Sequence, residues 1–146
     1  MSRIQKWTLQ LANLAVGVSG LVLAYMLFLL EPVDEFAIVN HPLQPDVRHL
    51  HILLAPALVF AIGWIWQNHV LRNWRLGRPQ ARRTGITLAA LALPMVLSGY
   101  VVQVAEDPVW RNRWSLLHLI ASALWLLLVL VHPLLAHRRP GPADPA

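Results

Sequence analysis

The chain has 146 residues, 57% of them hydrophobic and 13% charged, where a soluble domain carries about 45–50% apolar and about 25% charged residues, so an ordinary water-soluble globule is excluded. It contains no cysteine, which excludes disulfides, thiolate metal sites, iron–sulfur clusters and covalent c-type haem attachment. The net charge of +5 and the pI near 11.1 come from short segments between apolar blocks, with no nucleic-acid-binding motif, so anionic lipid headgroups account for them better than nucleic acid does.

The first apolar block runs from about Leu9 to Leu30, holds no charged residue and ends at Glu31-Pro32. Arg3 and Lys6 ahead of it invite comparison with a signal peptide. The stretch is longer than the usual signal core and no small-x-small cleavage site follows before Glu31, so an uncleaved span is expected. The second block covers about Leu50 to Leu71, the third about Gly85 to Ala105 and the fourth about Ser115 to Ala136. Each is about 20 residues, enough for an α-helix to cross about 30 Å of hydrocarbon. The alternating pattern of a transmembrane barrel is absent. The expected fold is all-α: an integral membrane four-helix bundle over residues 1–139, followed by a Pro- and Ala-rich tail over 140–146 that is expected to be disordered. No internal repeat or second domain is evident at this level.

Orientation follows from the connections. Arg3 and Lys6, then Arg72, Arg75, Arg78, Arg82 and Arg83, then Arg138 and Arg139 put nine basic residues on one side, against Arg48, Arg111 and Arg113 on the other. Six of the seven acidic residues (Glu31, Asp34, Glu35, Asp46, Glu106 and Asp107) lie with the three. The positive-inside rule then places both termini in the cytoplasm. Trp7, Trp74, Trp110 and Trp114 fall at span edges, where an aromatic belt belongs.

An ionisable side chain inside a span is expensive and marks a functional site by default. Four of the seven histidines meet that description: His51 and His69 in the second block, His118 and His132 in the fourth. His118 and His132 are 14 residues apart, about 40° from perfect alignment on a helix, and His51 and His69 are 18 apart, five whole turns. Each helix would present two imidazoles on one side, near opposite membrane surfaces. Both spans run from outside to inside, which sets His51 level with His118 and His69 level with His132. Two such levels offer bis-imidazole axial ligation to one or two haems b, the six-coordinate state suited to electron transfer. The axial separations are about 27 Å and about 21 Å, and a tilt or a bend near Pro56 would reconcile them.

The other candidates are weaker. His49 points nearly opposite His51 and remains an alternative to it as ligand. His41 belongs to the outer connection and His137 to the interface. Arg48, Arg111 and Arg113 outside, and Arg72, Arg75 and Arg138 inside, are available to haem propionates, with headgroup contact as the simpler role. Trp125, midway between His118 and His132, is either a core aromatic or a group packed between two haems. Gly17, Gly20, Ala55, Gly63, Ser98, Gly99, Ala121 and Ser122 would either admit a flat macrocycle to the backbone or simply let helices pack closely.

Four cysteine-free spans, with the run Arg113-Trp114-Ser115-Leu116-Leu117-His118 followed by His132, resemble the cytochrome b561-type membrane cytochromes, a group that includes haem subunits of membrane hydrogenases and formate dehydrogenases and many small bacterial proteins. The run Ser98-Gly99-Tyr100 with Gln103 resembles the same small proteins. The resemblance implies two haems b held by four histidines in a bacterial inner membrane, passing electrons between a redox partner subunit and quinone. His118 and His132 match the family's last-helix pair. The first span departs from it, lacking the histidine that bacterial members often carry there, and the second span supplies an additional one. The spans contain no nucleophile–base constellation, so an electron-transfer subunit, in a complex or homo-oligomer, is expected before a self-contained enzyme. Two other readings compete: a non-haem accessory subunit whose histidines hydrogen-bond between helices, and a transporter of protons or metal ions. The spans carry no Asp or Glu, which argues against the transporter.

Overall fold

The structure, a computed structural model, describes residues 1–77 and 81–137, with the side chains of the last helix described as far as Leu135. Arg78, the side chain of His137, Arg138, Arg139 and the 140–146 tail lie outside the described residues. Among the described residues there is no strand, and four helices are long and apolar enough to cross a bilayer. These are α1 (Arg3–Phe28), α2 (Gln44–Arg75, containing a π segment at Trp66–Leu71), α3 (Arg82–Val104) and α4 (Pro108–His137). The chain is therefore all-helical and reads as a multi-pass membrane protein.

Each helix begins ahead of its apolar block, because start signals lie in the polar flanks. Ser2 and Gln5 form a reciprocal capping box on α1, with Gln5 N donating to Ser2 Oγ and Ser2 N donating to Gln5 Oε1. Pro45 stands in the first turn of α2, where its missing N–H costs nothing. Pro108 opens α4, and Asp107 Oδ1 accepts the N–H of Trp110 at 2.8 Å. Ala81, just ahead of α3, has φ +49°, a left-handed conformation that is strained for a residue with a Cβ. Trp7, Trp74 and Trp110 are exposed near helix ends, as a belt requires.

Contacts divide the chain into two compact units, Met1–His69 and Val70–Ala146. The first is an antiparallel pairing of α1 with α2, the second of α3 with α4. In the first unit four of the five buried positions of α1 are seven apart, Gln5, Ala12, Ser19 and Met26, with Asn13 beside them. On α2 the buried Gln44, Leu58 and Ile65, with the half-buried His51, form the same seven-residue series, and Ala61 is buried between Leu58 and Ile65. In the second unit His118, the buried Trp125 and His132 repeat the spacing along α4. A sustained seven-residue repeat keeps one seam of a helix against its partner.

The solvent decides what occupies the seams. Lipid gives helices no hydrophobic reason to associate, so membrane seams favour small residues and interhelical hydrogen bonds, the latter averaging about 0.6 kcal/mol each. Ala12, Ala61 and Ala121 are buried accordingly, and Ser98 has no exposed surface at all. Gln5 ties α1 to α2 by donating from Nε2 to the Trp64 carbonyl. Many of the large aliphatic side chains point outward instead, as with Leu53, 76% exposed. At the seam position Ala61, 1% exposed, Ala61→Leu is expected to cost about 1–3 kcal/mol through overpacking. Leu53→Ala should stay within about 0.5 kcal/mol. Reversible unfolding in mixed micelles measures both, and equal effects at the two positions would contradict the seam.

Candidate functional site

Three of the four span histidines sit in seams, each against a hydroxyl residue followed by glycine on the paired helix. On α1 these are Ser19-Gly20, facing His51, with Ser19 Oγ 3.0 Å from His51 Nδ1. On α3, Ser98-Gly99 faces His118, with Oγ to Nδ1 3.2 Å. Two heptads earlier on α3, Thr84-Gly85 faces His132, with Oγ1 to Nδ1 2.8 Å.

The direction of these bonds is fixed by counting protons. A hydroxyl has one proton to donate, and a backbone carbonyl only accepts. Ser19 Oγ lies 2.9 Å from the Ala15 carbonyl and 3.1 Å from that of Val16, so its proton is committed to its own helix. Thr84 Oγ1 donates likewise to the Ala81 carbonyl at 2.9 Å, and Ser98 Oγ to the Met95 carbonyl at 3.0 Å. Each hydroxyl is left with lone pairs for the ring, so an Nδ1–H can donate to it. At His118 the assignment has a second support, because Nδ1 also lies 2.9 Å from the Met95 carbonyl, which cannot donate. The Met95 carbonyl therefore sets the Nδ1–H tautomer at His118 when neutral, and the hydroxyl geometry suits the same tautomer at His51 and His132, with the lone pair on Nε2. Ser122 Oγ approaches Nε2 of His118 at 3.5 Å, long for a hydrogen bond.

The glycines make room. A Cβ on Gly20 would stand 2.8 Å from His51 Cε1, one on Gly99 3.0 Å from His118 Cε1, and one on Gly85 3.3 Å from His132 Cε1. Of the two roles open to Gly20 and Gly99, admitting a macrocycle or a neighbouring helix, the structure gives them a third: the space beside them is taken by imidazole. At Gly63, another of the small residues, a Cβ would meet nothing within 4 Å.

His69 is placed differently. It is half-buried and lies within the π segment, four residues past the last seam position of α2, Ile65. The five-turn register with His51 presumes an unbroken α-helix, and a π turn, with its i→i+5 bonds, rotates the residues beyond it out of that register. His51 and His69 therefore do not share one face as closely as their spacing implies.

His49 is exposed, whereas His51 packs against Ser19, which separates the two by environment. His41 Nδ1 accepts the Leu43 N–H in the turn before α2. Among the arginines offered for propionates, Arg111 donates to the Ala105 and Glu106 carbonyls and closes the α3–α4 turn, while Arg113 stacks over Trp110 at 5.3 Å. Arg48, Arg72 and Arg75 are exposed. Trp125 is buried in the seam between His118 and His132.

Ser19, Thr84 and Gly85 are site residues that the sequence reading does not single out, yet a signal for the α3 pair is present. Thr84-Gly85 and Ser98-Gly99 are separated by 14 residues, the same interval as His118 and His132. In an antiparallel pair, equal intervals on the two helices bring both couples into contact together.

Chemically, a neutral imidazole with a tethered Nδ1–H and a lone pair on Nε2 is a Lewis base held in a set orientation. Among the described residues no group of three or more His, Asp or Glu side chains gathers to hold a bare metal ion. Among the described residues, each of these seam positions offers a single imidazole donor. Compared with family models, curated proteins and solved structures, the chain matches none of them.

The clearances predict a ranked series. Gly20→Ala should be the most damaging, Gly99→Ala intermediate and Gly85→Ala mildest, the first costing about 1–3 kcal/mol as the imidazole is pushed aside. Gly63→Ala should be neutral or stabilise by up to about 1 kcal/mol through helix propensity. Unfolding midpoints of the four variants test the order, and an unperturbed Gly20→Ala protein would refute the packing described.

Proposed function

We propose that the chain is a membrane b-type cytochrome, with His51, His69, His118 and His132 as axial ligands to one or two haems b. The observation that carries the reading is the contact shared by three histidines within membrane-length helices, each with Nδ1 within hydrogen-bond distance of a helix hydroxyl, which leaves Nε2 as the nitrogen for a ligand. Metal-bound histidines almost always give their second nitrogen to such a partner. When bound, haem supplies a one-electron ferric/ferrous couple, and the protein's part is to ligate, orient and keep the site dry. Which histidines share an iron is an expectation from span order, His51 with His118 and His69 with His132.

On this reading electrons pass between a redox partner subunit and quinone, both termini face the cytoplasm of a bacterial inner membrane, and the spans gather as a four-helix bundle. The likeness to cytochrome b561-type proteins supports the same assignment. A second reading keeps a specific observation in its favour: the three histidine bonds join helices within each unit, as those of a non-haem accessory subunit would. Against it, such bonds average about 0.6 kcal/mol, a small gain for placing ionisable rings in hydrocarbon.

A reduced-minus-oxidised absorption spectrum with pyridine haemochrome quantification is the direct test. One or two haems b per chain are expected, with His118→Ala and His132→Ala each losing haem or its low-spin signature. A haem-free protein after expression with ample haem would promote the accessory reading. The absence of native cysteine allows a clean topology test. Ile38→Cys should react with an impermeant maleimide added from outside, and Leu76→Cys only after permeabilisation; the reverse pattern would invert the orientation.

A further inference from the structure

The three hydroxyls do more than fill seams. Each commits its proton to a carbonyl of its own helix or of the residue leading into it, Ser19 to Ala15, Ser98 to Met95 and Thr84 to Ala81, and so faces its histidine as an acceptor. A ring whose Nδ1–H is donated to such an acceptor is held in one tautomer and gains electron density at Nε2. We infer that Ser19, Thr84 and Ser98 are positioning residues that fix the Nδ1–H tautomer of His51, His132 and His118 and, through it, the donor strength of each Nε2.

The three are not equivalent. At His132 the Nδ1–H meets the hydroxyl at 2.8 Å, and at His51 at 3.0 Å. At His118 the Met95 carbonyl at 2.9 Å is nearer than the hydroxyl at 3.2 Å. Removing Ser98 leaves that carbonyl in place as acceptor, so the tautomer of His118 survives. Removing Thr84 or Ser19 takes away the hydroxyl acceptor that Nδ1 meets in the geometry described. At His118 the module thus has a backbone acceptor beside its hydroxyl.

The potential follows from the same bonds, and this part of the inference rests on the haem reading above. A more basic imidazole stabilises ferric over ferrous iron, so weakening the Nδ1–H acceptor raises the midpoint potential. An outer-shell change of this kind costs about tenfold or more in metal affinity. If it falls on the ferric state, tenfold corresponds to about 59 mV for a one-electron couple.

The test uses the full chain with ¹⁵N-labelled histidine in detergent micelles, measured haem-free for tautomer and haem-loaded for potential. Wild-type His51, His118 and His132 are expected to show the Nδ1–H tautomer. Ser19→Ala and Thr84→Ala should mix tautomers at His51 and His132 and raise the corresponding potential by about 59 mV, with Ser19→Thr and Thr84→Ser restoring both readouts. Ser98→Ala should leave the His118 tautomer intact and move its potential less. A predominant Nε2–H tautomer at any of the three wild-type rings overturns the inference, and that measurement needs no variant to fold. Unchanged tautomers and potentials in Ser19→Ala and Thr84→Ala overturn it while leaving the haem reading standing. A haem-free wild type would remove the haem reading, and the tautomers would still decide the role of the hydroxyls.

Discussion

A serine or threonine inside a helix has an outlet for its proton within its own backbone, and this chain uses that outlet to make acceptors in hydrocarbon. Ser19, Thr84 and Ser98 each give the proton to a carbonyl three or four residues back, and each then receives an imidazole N–H from the paired helix. Water is not available within a span to satisfy a stray polar nitrogen, so a histidine there must find its partner in the protein. That requirement places a hydroxyl opposite each seam histidine. It also places a glycine next to the hydroxyl, since the ring reaches Nδ1 bonding distance only by lying where a Cβ would stand.

The helix pairing depends on the same constraint. Seven-residue spacing returns a side chain to the seam every two turns, and the seams mix alanine, serine and glutamine with the larger Met26, Leu58 and Ile65, where a soluble coiled coil would hold mainly large aliphatic residues. Close approach of backbones compensates for the missing hydrophobic drive between helices in lipid. Gln5 serves two purposes under this constraint: its side chain closes the capping box with Ser2 and reaches the Trp64 carbonyl of α2. In the other unit Ala81 takes a left-handed conformation next to α3 and offers the carbonyl that receives the Thr84 proton. Local strain at the start of α3 thus sits one hydrogen-bonded hydroxyl away from the ring of His132.

How far the sequence could be read depends on whether a feature is periodic or local. The four spans were legible because hydrocarbon thickness sets a minimum apolar length, and all four helices cover their expected blocks except for Leu29 and Leu30 after α1 and Ala105 after α3. The helix ends ran further because capping is written in polar residues such as Ser2, Gln5 and Asp107 that no hydropathy window counts. Histidines 14 apart on α4 were legible for the same reason as the spans, an interval fixed by helical geometry. The hydroxyl–glycine partners were legible in principle, through the matching interval on α3, but only to a reading that compares intervals between two helices. The π segment was not legible: nothing in Trp66-Gln67-Asn68-His69-Val70-Leu71 marks an i→i+5 turn, and the ideal 100° step aligns His69 with His51 more closely than a π turn allows.

That irregularity makes the fourth histidine unlike the other three. His51, His118 and His132 have their orientation set by a partner helix through both a hydrogen bond and a glycine clearance. His69 lies within a π turn, a feature that occurs mostly as single turns and frequently at functional sites. A π turn widens the helix by one residue and so lets a ring be aimed where an α-helical register would not place it.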